Sequence, residues 1–203
     1  MISPLHRKFF PSSFYSRRSL EMYNDMAKHF PMTGIIVEVG AFRGYTTLLY
    51  AKKADKVIAF EADEVSFREL KKRTKSHQNI LAVRGGIWEM DTVLTFYGKD
   101  VEARGFIPCD DVPDAPIKKM WVKSLDNALH DADARHINLL VIQANGAEVP
   151  IIRGSSLKQM DAVCTYSFYD FEGKPCAPQV IELLKERGFN VENKGGRIYA
   201  RRI

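Results

Sequence analysis

Residues 35–47 of this 203-residue chain, Ile-Ile-Val-Glu38-Val-Gly40-Ala-Phe-Arg-Gly44-Tyr45-Thr46-Thr47, constrain the fold more than any other stretch. An apolar run stops at an acid and passes into two glycines spaced Gly-x-x-x-Gly, which is the pattern of a buried strand entering a tight turn and then a helix. About one helix later, Lys56-Val-Ile-Ala-Phe60-Glu61 forms a second apolar run that also ends on a carboxylate. In an open α/β sheet that position meets the hydroxyls of an adenosine ribose. The pair of strands therefore points to a bound adenosyl group.

The glycine spacing narrows the choice of cofactor. Dinucleotide folds use Gly-x-Gly-x-x-Gly so that a pyrophosphate can approach the amides of a helix N-terminus. Here Phe42 and Arg43 stand between Gly40 and Gly44, and no close pyrophosphate seat is evident. Glu38, two residues before the first glycine, suits a cofactor that carries an ammonium and a sulfonium. A nicotinamide-dependent dehydrogenase is kept as the less favoured alternative.

The rest of the chain alternates strands and helices, which predicts a parallel sheet covered on both faces. Strands are expected at 35–39, 56–61, 80–84, 137–142 and 161–168, with helices at about 44–54, 64–76, 147–153 and 177–187. Residues 92–97 alternate as a strand of an added hairpin, and a short helix ends near His130. Gly195-Gly196 joins two final strands at 189–193 and 197–202 as an antiparallel hairpin. The stretch 98–117 has three prolines and two glycines. Its length predicts a loop that acts as a functional lid. The first 18 residues read as an extended arm, a helix begins at about Ser19, and residues 19–203 form one domain.

Composition excludes several classes. The chain has no apolar run near the ~20 residues of a membrane span, and Phe9-Phe10-Pro11 is too short for a secretory core, so a cytoplasmic protein is expected with no membrane partner. The cysteines Cys109, Cys164 and Cys176 lack metal-ligand spacing and suggest neither zinc nor a disulfide framework. Net charge is +5, from 30 basic and 25 acidic residues in scattered groups. That mild excess permits an anionic partner without requiring one, and without interleaved aromatic residues a nucleic-acid partner is not expected.

The ordered segments Val37-Glu38-Val-Gly40-Ala-Phe-Arg-Gly44-Tyr45, Ala59-Phe-Glu61-Ala62, Gly86-Ile87-Trp88-Glu89, Ser124-Leu125-Asp126 and Asn145-Gly146-Ala147-Glu148, with Arg153-Gly154, resemble the FkbM-type methyltransferases over roughly residues 35–190. The resemblance implies a Rossmann-like class I methyltransferase fold with a mostly parallel seven-stranded sheet. It also implies S-adenosylmethionine as donor and methylation at a hydroxyl oxygen of a sugar or other small molecule. Glu38, Gly40 and Gly44 would then lie beside the methionine part, Glu61 on the ribose and Ile87-Trp88 at the adenine. Tyr45, Thr46 and Thr47 could donate to the cofactor carboxylate or simply cap the helix.

One departure from the family pattern bears on chemistry. Where the family commonly shows Asp-x-Glu-Gly-x-Glu, this chain has Gln143-Ala-Asn145-Gly146-Ala-Glu148. An amide takes no proton at neutral pH, so a metal-assisted mechanism is not expected. Gln143 remains a candidate to orient the cofactor. Glu148, Asp170 and Glu172 are the candidate bases, with His130 and His136 ranked below them. Tyr166, Phe168, Tyr169 and Phe171 are candidates for an acceptor pocket or for plain core. A catalytically silent cofactor-binding or scaffold protein is the second reading of the same residues.

Overall fold

The computed structural model describes residues 12–97, 105, 118–144, 146–166 and 176–203. Its main sheet has seven strands: β1 (Ile35–Val39), β2 (Lys56–Glu61), β3 (Ile80–Arg84), β7 (Leu139–Ile142), β8 (Ala162–Tyr166), β9 (Phe189–Lys194) and β10 (Arg197–Arg202). The spatial order is β3-β2-β1-β7-β8-β10-β9. All neighbours run parallel except β10, which is antiparallel to both β8 and β9. This is the expected mostly parallel sheet with an antiparallel C-terminal hairpin.

Burial on both faces explains why the central strands are continuous apolar runs. Along β1 the side chains alternate. Val37 and Val39 join one core with Ile58, Phe60, Leu140, Ile142, Ile151 and Leu184. Ile36 joins the opposite core with Met26, Phe30, Tyr50, Val57, Leu139 and Cys164. The chain leaves β1 for β2 on one side, while β7 pairs on the other. Beyond the carboxyl ends of the strands this switch opens the crevice in which ligands of open α/β sheets bind.

Six helices cover the sheet among the described residues: α1 (Ser12–Met26), α2 (Tyr45–Tyr50), α3 (Glu64–Thr74), α4 (Leu125–Asp131), α5 (Glu148–Arg153) and α6 (Ala177–Glu186). The extended arm expected over residues 1–18 is corrected from Ser12 onward, where α1 already runs. Its early turns carry no strong apolar period. They are held by tertiary contact instead, with the Tyr15 ring stacked 5.8 Å from Tyr45 and 5.5 Å from Phe42.

A second, three-stranded sheet was not foreseen. Its strands β4 (Gly86–Trp88), β5 (Thr92–Phe96) and β6 (Lys118–Ser124) are ordered β4-β6-β5. The expected strand at 92–97 is present as β5 and pairs antiparallel with β6. The expected lid at 98–117 lies outside the described residues except for Gly105, which bridges to Tyr97. No helix among the described residues is long and apolar enough to cross a membrane.

Candidate functional site

At the carboxyl ends of β1, β2, β7 and β8 lies a cavity of about 1140 Å³, roofed on one side by α1. Ligand pockets span about 300–1,000 Å³, so this cavity lies at the large end of that range. Its lining falls into three groups. The β1–α2 turn supplies Gly40, Phe42, Tyr45 and Thr46. The end of β2 supplies Glu61 and Asp63, with Gly85, Gly86 and Ile87 beyond them. The end of β7 supplies Gln143, Gly146 and Glu148.

The β1–α2 turn is tight because Gly40, Phe42 and Gly44 all have positive φ, at 83°, 51° and 80°. This backbone lets the Phe42 N–H donate to Glu61 Oε2 at 2.6 Å, while the Asp63 N–H donates to Glu61 Oε1 at 2.7 Å. Each carboxylate oxygen keeps a second lone pair. Glu61 is thus a buried, pre-oriented acceptor at the cavity wall, suited to a vicinal diol. Burial pushes its carboxyl up to about 7 against the pull of these amides.

Glu148 opens α5 and is 2% exposed. Its Oε1 accepts from the Ala144 N–H at 3.2 Å, whereas Oε2 is buried with no hydrogen-bond partner among the described residues. Desolvation pushes this carboxyl to about 7 as well. Gln143 Nε2, also at the cavity, is a second buried polar atom with no partner among the described residues. A buried donor and a buried acceptor that the described residues leave open in one cavity are places that water or a polar ligand can complete.

Three expected contacts do not line the cavity. Glu38 is fully buried on the α2 side of β1, and its two oxygens accept from the Thr46 and Thr47 hydroxyls. It fastens the first turn of α2 from beneath, for the alternation of β1 turns it away from the crevice. The Thr46-Thr47 pair at the start of α2 is the sequence signal for that role. Gly44 is the N-cap of α2 and faces Leu70. Trp88, expected at the adenine, is half-buried against the core and is not among the residues that line the cavity.

Gly40, Tyr45, Glu61, Ile87, Gln143 and Glu148 are brought together as expected. The Tyr45 hydroxyl accepts from Arg73 Nη2 at 2.9 Å, and the Arg73 guanidinium lies 4.1 Å from the Tyr45 ring centre. Asn145, Asp170, Glu172, Phe168, Tyr169 and Phe171 lie outside the described residues. His130 and His136 stand at the surface beside Asp131 and Asp161. Sequence reasoning missed Phe42, whose backbone sets Glu61, Asp63, and the α1 residues at the cavity. Of these, only the Asp63 N-cap, which accepts from the Ser66 N–H at 2.8 Å, had a readable signal.

The buried acids fix a pH dependence. Glu38, Glu61 and Glu148 each rise from 4.5 to about 7, chiefly through burial. Between those pH values the folded protein binds more protons than the unfolded chain, so stability falls as pH rises through the window. Each group costs folding up to about 3 kcal/mol once ionised. Urea unfolding of the ligand-free protein should therefore show a higher midpoint at about pH 5.5 than at about pH 7.5. A midpoint that climbs with pH would contradict the burial of these carboxyls.

No protein-family model matches the chain, and no curated protein matches it. Solved structures do. The methyltransferase FkbM from Methylobacillus flagellatus superposes with a TM-score of 0.56 at 13% identity, covering 83% of this chain and 44% of that one. This chain therefore spans less than half the length of that relative. A SAM-dependent methyltransferase from Aquifex aeolicus gives a TM-score of 0.53 at 15% identity over 97% of this chain and all of its own. Aeropyrum pernix fibrillarin, crystallised with natively bound S-adenosyl-L-methionine, gives 0.53 at 12% identity over 84% of this chain and 68% of its own. At such identities the likeness concerns architecture, and in architecture the chain has the Rossmann-like class I methyltransferase fold.

Proposed function

We propose that this protein is an S-adenosylmethionine-dependent methyltransferase of FkbM type that methylates a hydroxyl oxygen of a small molecule. The observation that carries the reading is Glu61, whose buried carboxylate is set by two backbone amides at the end of β2 and faces the cavity. The donor set fits the cofactor. Glu61 accepts the ribose hydroxyls, Ile87 covers a purine face, and the unpartnered Gln143 amide orients the polar end. No pyrophosphate seat is needed. The acids Glu61 and Asp63 suit a ligand of net positive charge.

When bound, the cofactor supplies an electrophilic methyl group on a sulfonium. The protein then has two tasks, which are alignment of the acceptor with exclusion of water and removal of the hydroxyl proton. The unpartnered Glu148 Oε2 at the cavity supports Glu148 for the second task. A carboxyl poised at about 7 is close to the ideal for a general base at neutral pH. Glu148→Gln should lower kcat by about 10²- to 10⁴-fold while S-adenosylhomocysteine binds as before. Calorimetry with S-adenosylhomocysteine and with NAD tests the cofactor itself, and binding of NAD alone would overturn the proposal.

A second reading, a cofactor-binding protein without turnover, is favoured by the amides at Gln143 and Asn145 where the family commonly has carboxylates. It predicts that Glu148→Gln changes no rate, because there is none to change.

A further inference from the structure

The cavity has two ends of opposite character. At the β2 and β7 end it is acidic. At the other end, where α1 faces β8 and β10, it is lined by Phe14, Tyr15, Arg18, Tyr166 and Arg197. Tyr166 and Arg197 are paired in register across β8 and β10, and the Arg197 guanidinium lies 5.2 Å from the Tyr166 ring centre. The Tyr166 hydroxyl is buried and has no hydrogen-bond partner among the described residues. Arg18 has no ion-pair partner among the described residues, and its charge is felt at that hydroxyl.

The acids nearby are already committed. Asp25 accepts from Arg197 Nη1 at 2.6 Å and from the Tyr199 hydroxyl, and its other oxygen lies 3.6 Å from Lys28. Glu21 faces Arg17 at 3.9 Å. A guanidinium has five N–H donors, so Arg197 keeps several after the bond to Asp25. Arg18, Arg197 and Tyr166 therefore present donors with no matching acceptor, beside aromatic rings that favour a flat ligand.

We propose that this end of the cavity is the acceptor subsite and that it takes a planar, aromatic small molecule bearing a carboxylate or phosphate, gripped by Arg18, Arg197 and the Tyr166 hydroxyl. The proposal rests on the methyltransferase reading for the word acceptor, while the anion preference rests on these three side chains. A cationic cofactor at the acidic end and an anionic partner at the basic end would be held in opposite directions along one cavity. Such an arrangement discourages either molecule from occupying the other's place.

The test uses the full chain, with and without saturating S-adenosylhomocysteine, titrated with benzoate, phenyl phosphate and benzamide. The three probes share a ring and differ in charge. At least one anion should bind about tenfold or more tightly than benzamide, and the tighter of the two anions identifies the head group. Arg18→Gln alters an exposed side chain and should remove most of that preference while leaving S-adenosylhomocysteine affinity unchanged. Equal binding of benzamide and both anions, or a preference that survives Arg18→Gln, would overturn the proposal. Failure of S-adenosylhomocysteine to bind the native chain would instead count against the cofactor reading, since the anion preference is still measured on the ligand-free protein.

Discussion

Replacing Glu61 by Gln weakens S-adenosylhomocysteine binding by about tenfold or more, with the fold retained. The carboxylate accepts from the Phe42 and Asp63 amides and keeps a lone pair on each oxygen for a ribose hydroxyl. Charge-assisted hydrogen bonds contribute about 1.5–3 kcal/mol each; the amide keeps one oxygen but loses the charge and the other acceptor, so at least one such bond is lost, which is about a decade of affinity or more. An amide cannot substitute. Its NH₂ would face a backbone N–H, donor against donor, on whichever side it turned. The fold survives because an ionised Glu61 is itself a burden, as its rise to about 7 indicates. Calorimetry with S-adenosylhomocysteine and a urea titration measure the two halves of the result, and unchanged affinity would remove Glu61 from the cofactor site.

Gly40→Ala should produce the second large effect, and this one strikes the fold. Gly40 has φ of 83°, and a Cβ there would lie 2.1 Å from the Gln143 carbonyl oxygen and 2.8 Å from its carbonyl carbon. The obstacle is backbone of β7's end, which is tied to β1 through the Gln143 N–H to Val39 O bond at 2.8 Å. Relief requires the carboxyl ends of β1 and β7 to part. Strain of this kind costs about 3 kcal/mol or more, a fall in Tm of roughly 6–12 °C for a chain of this size. Gly85→Ala is the control, for a Cβ at Gly85 meets nothing within 4 Å. Equal melting of the two variants would show that the close approach at Gly40 is dispensable.

How much of this was legible depended on burial. The strands at 35–39 and 56–61 were read with their observed limits because a parallel strand covered on both faces leaves an unbroken apolar run; the strand at 80–84, an edge strand with Leu81 exposed, was read from its short run Ile80-Leu-Ala-Val alone. The three-stranded sheet escaped for the opposite reason. Its β4 has three residues, and β6 leaves Lys118, Lys119 and Trp121 exposed, so neither carries a strong period. The first turns of α1 escaped because they are fixed by rings that come from Phe42 and Tyr45. No local pattern records such a contact.

The site divided in the same way. Glu61 and Glu148 were legible because an acid that ends an apolar strand, or opens the helix after one, lands at the sheet's carboxyl edge wherever its strand sits. Glu38 was half legible. Its place on β1 was evident, but the side to which it points follows from which of Ile36 and Val37 faces α2, and both are equally apolar. Structure settles this, with Glu38 sharing the side of Ile36 and Tyr50. The basic end of the cavity was illegible, since Arg18 and Arg197 are 179 positions apart in the chain and meet only through the packing of α1 on the sheet.

The position of β10 between β8 and β9 governs the order in which the sheet can be assembled. β9 precedes β10 in the chain yet touches the sheet only through it, so β9 has no template until its successor has been made and has turned back at Gly195-Gly196. During synthesis the edge of β8 stays open over that interval. Its five buried residues, Ala162–Tyr166, are then a sticky border for any extended segment that happens by. The double glycine matters here as a clock as well as a bend: the faster the hairpin closes, the shorter that border remains uncovered.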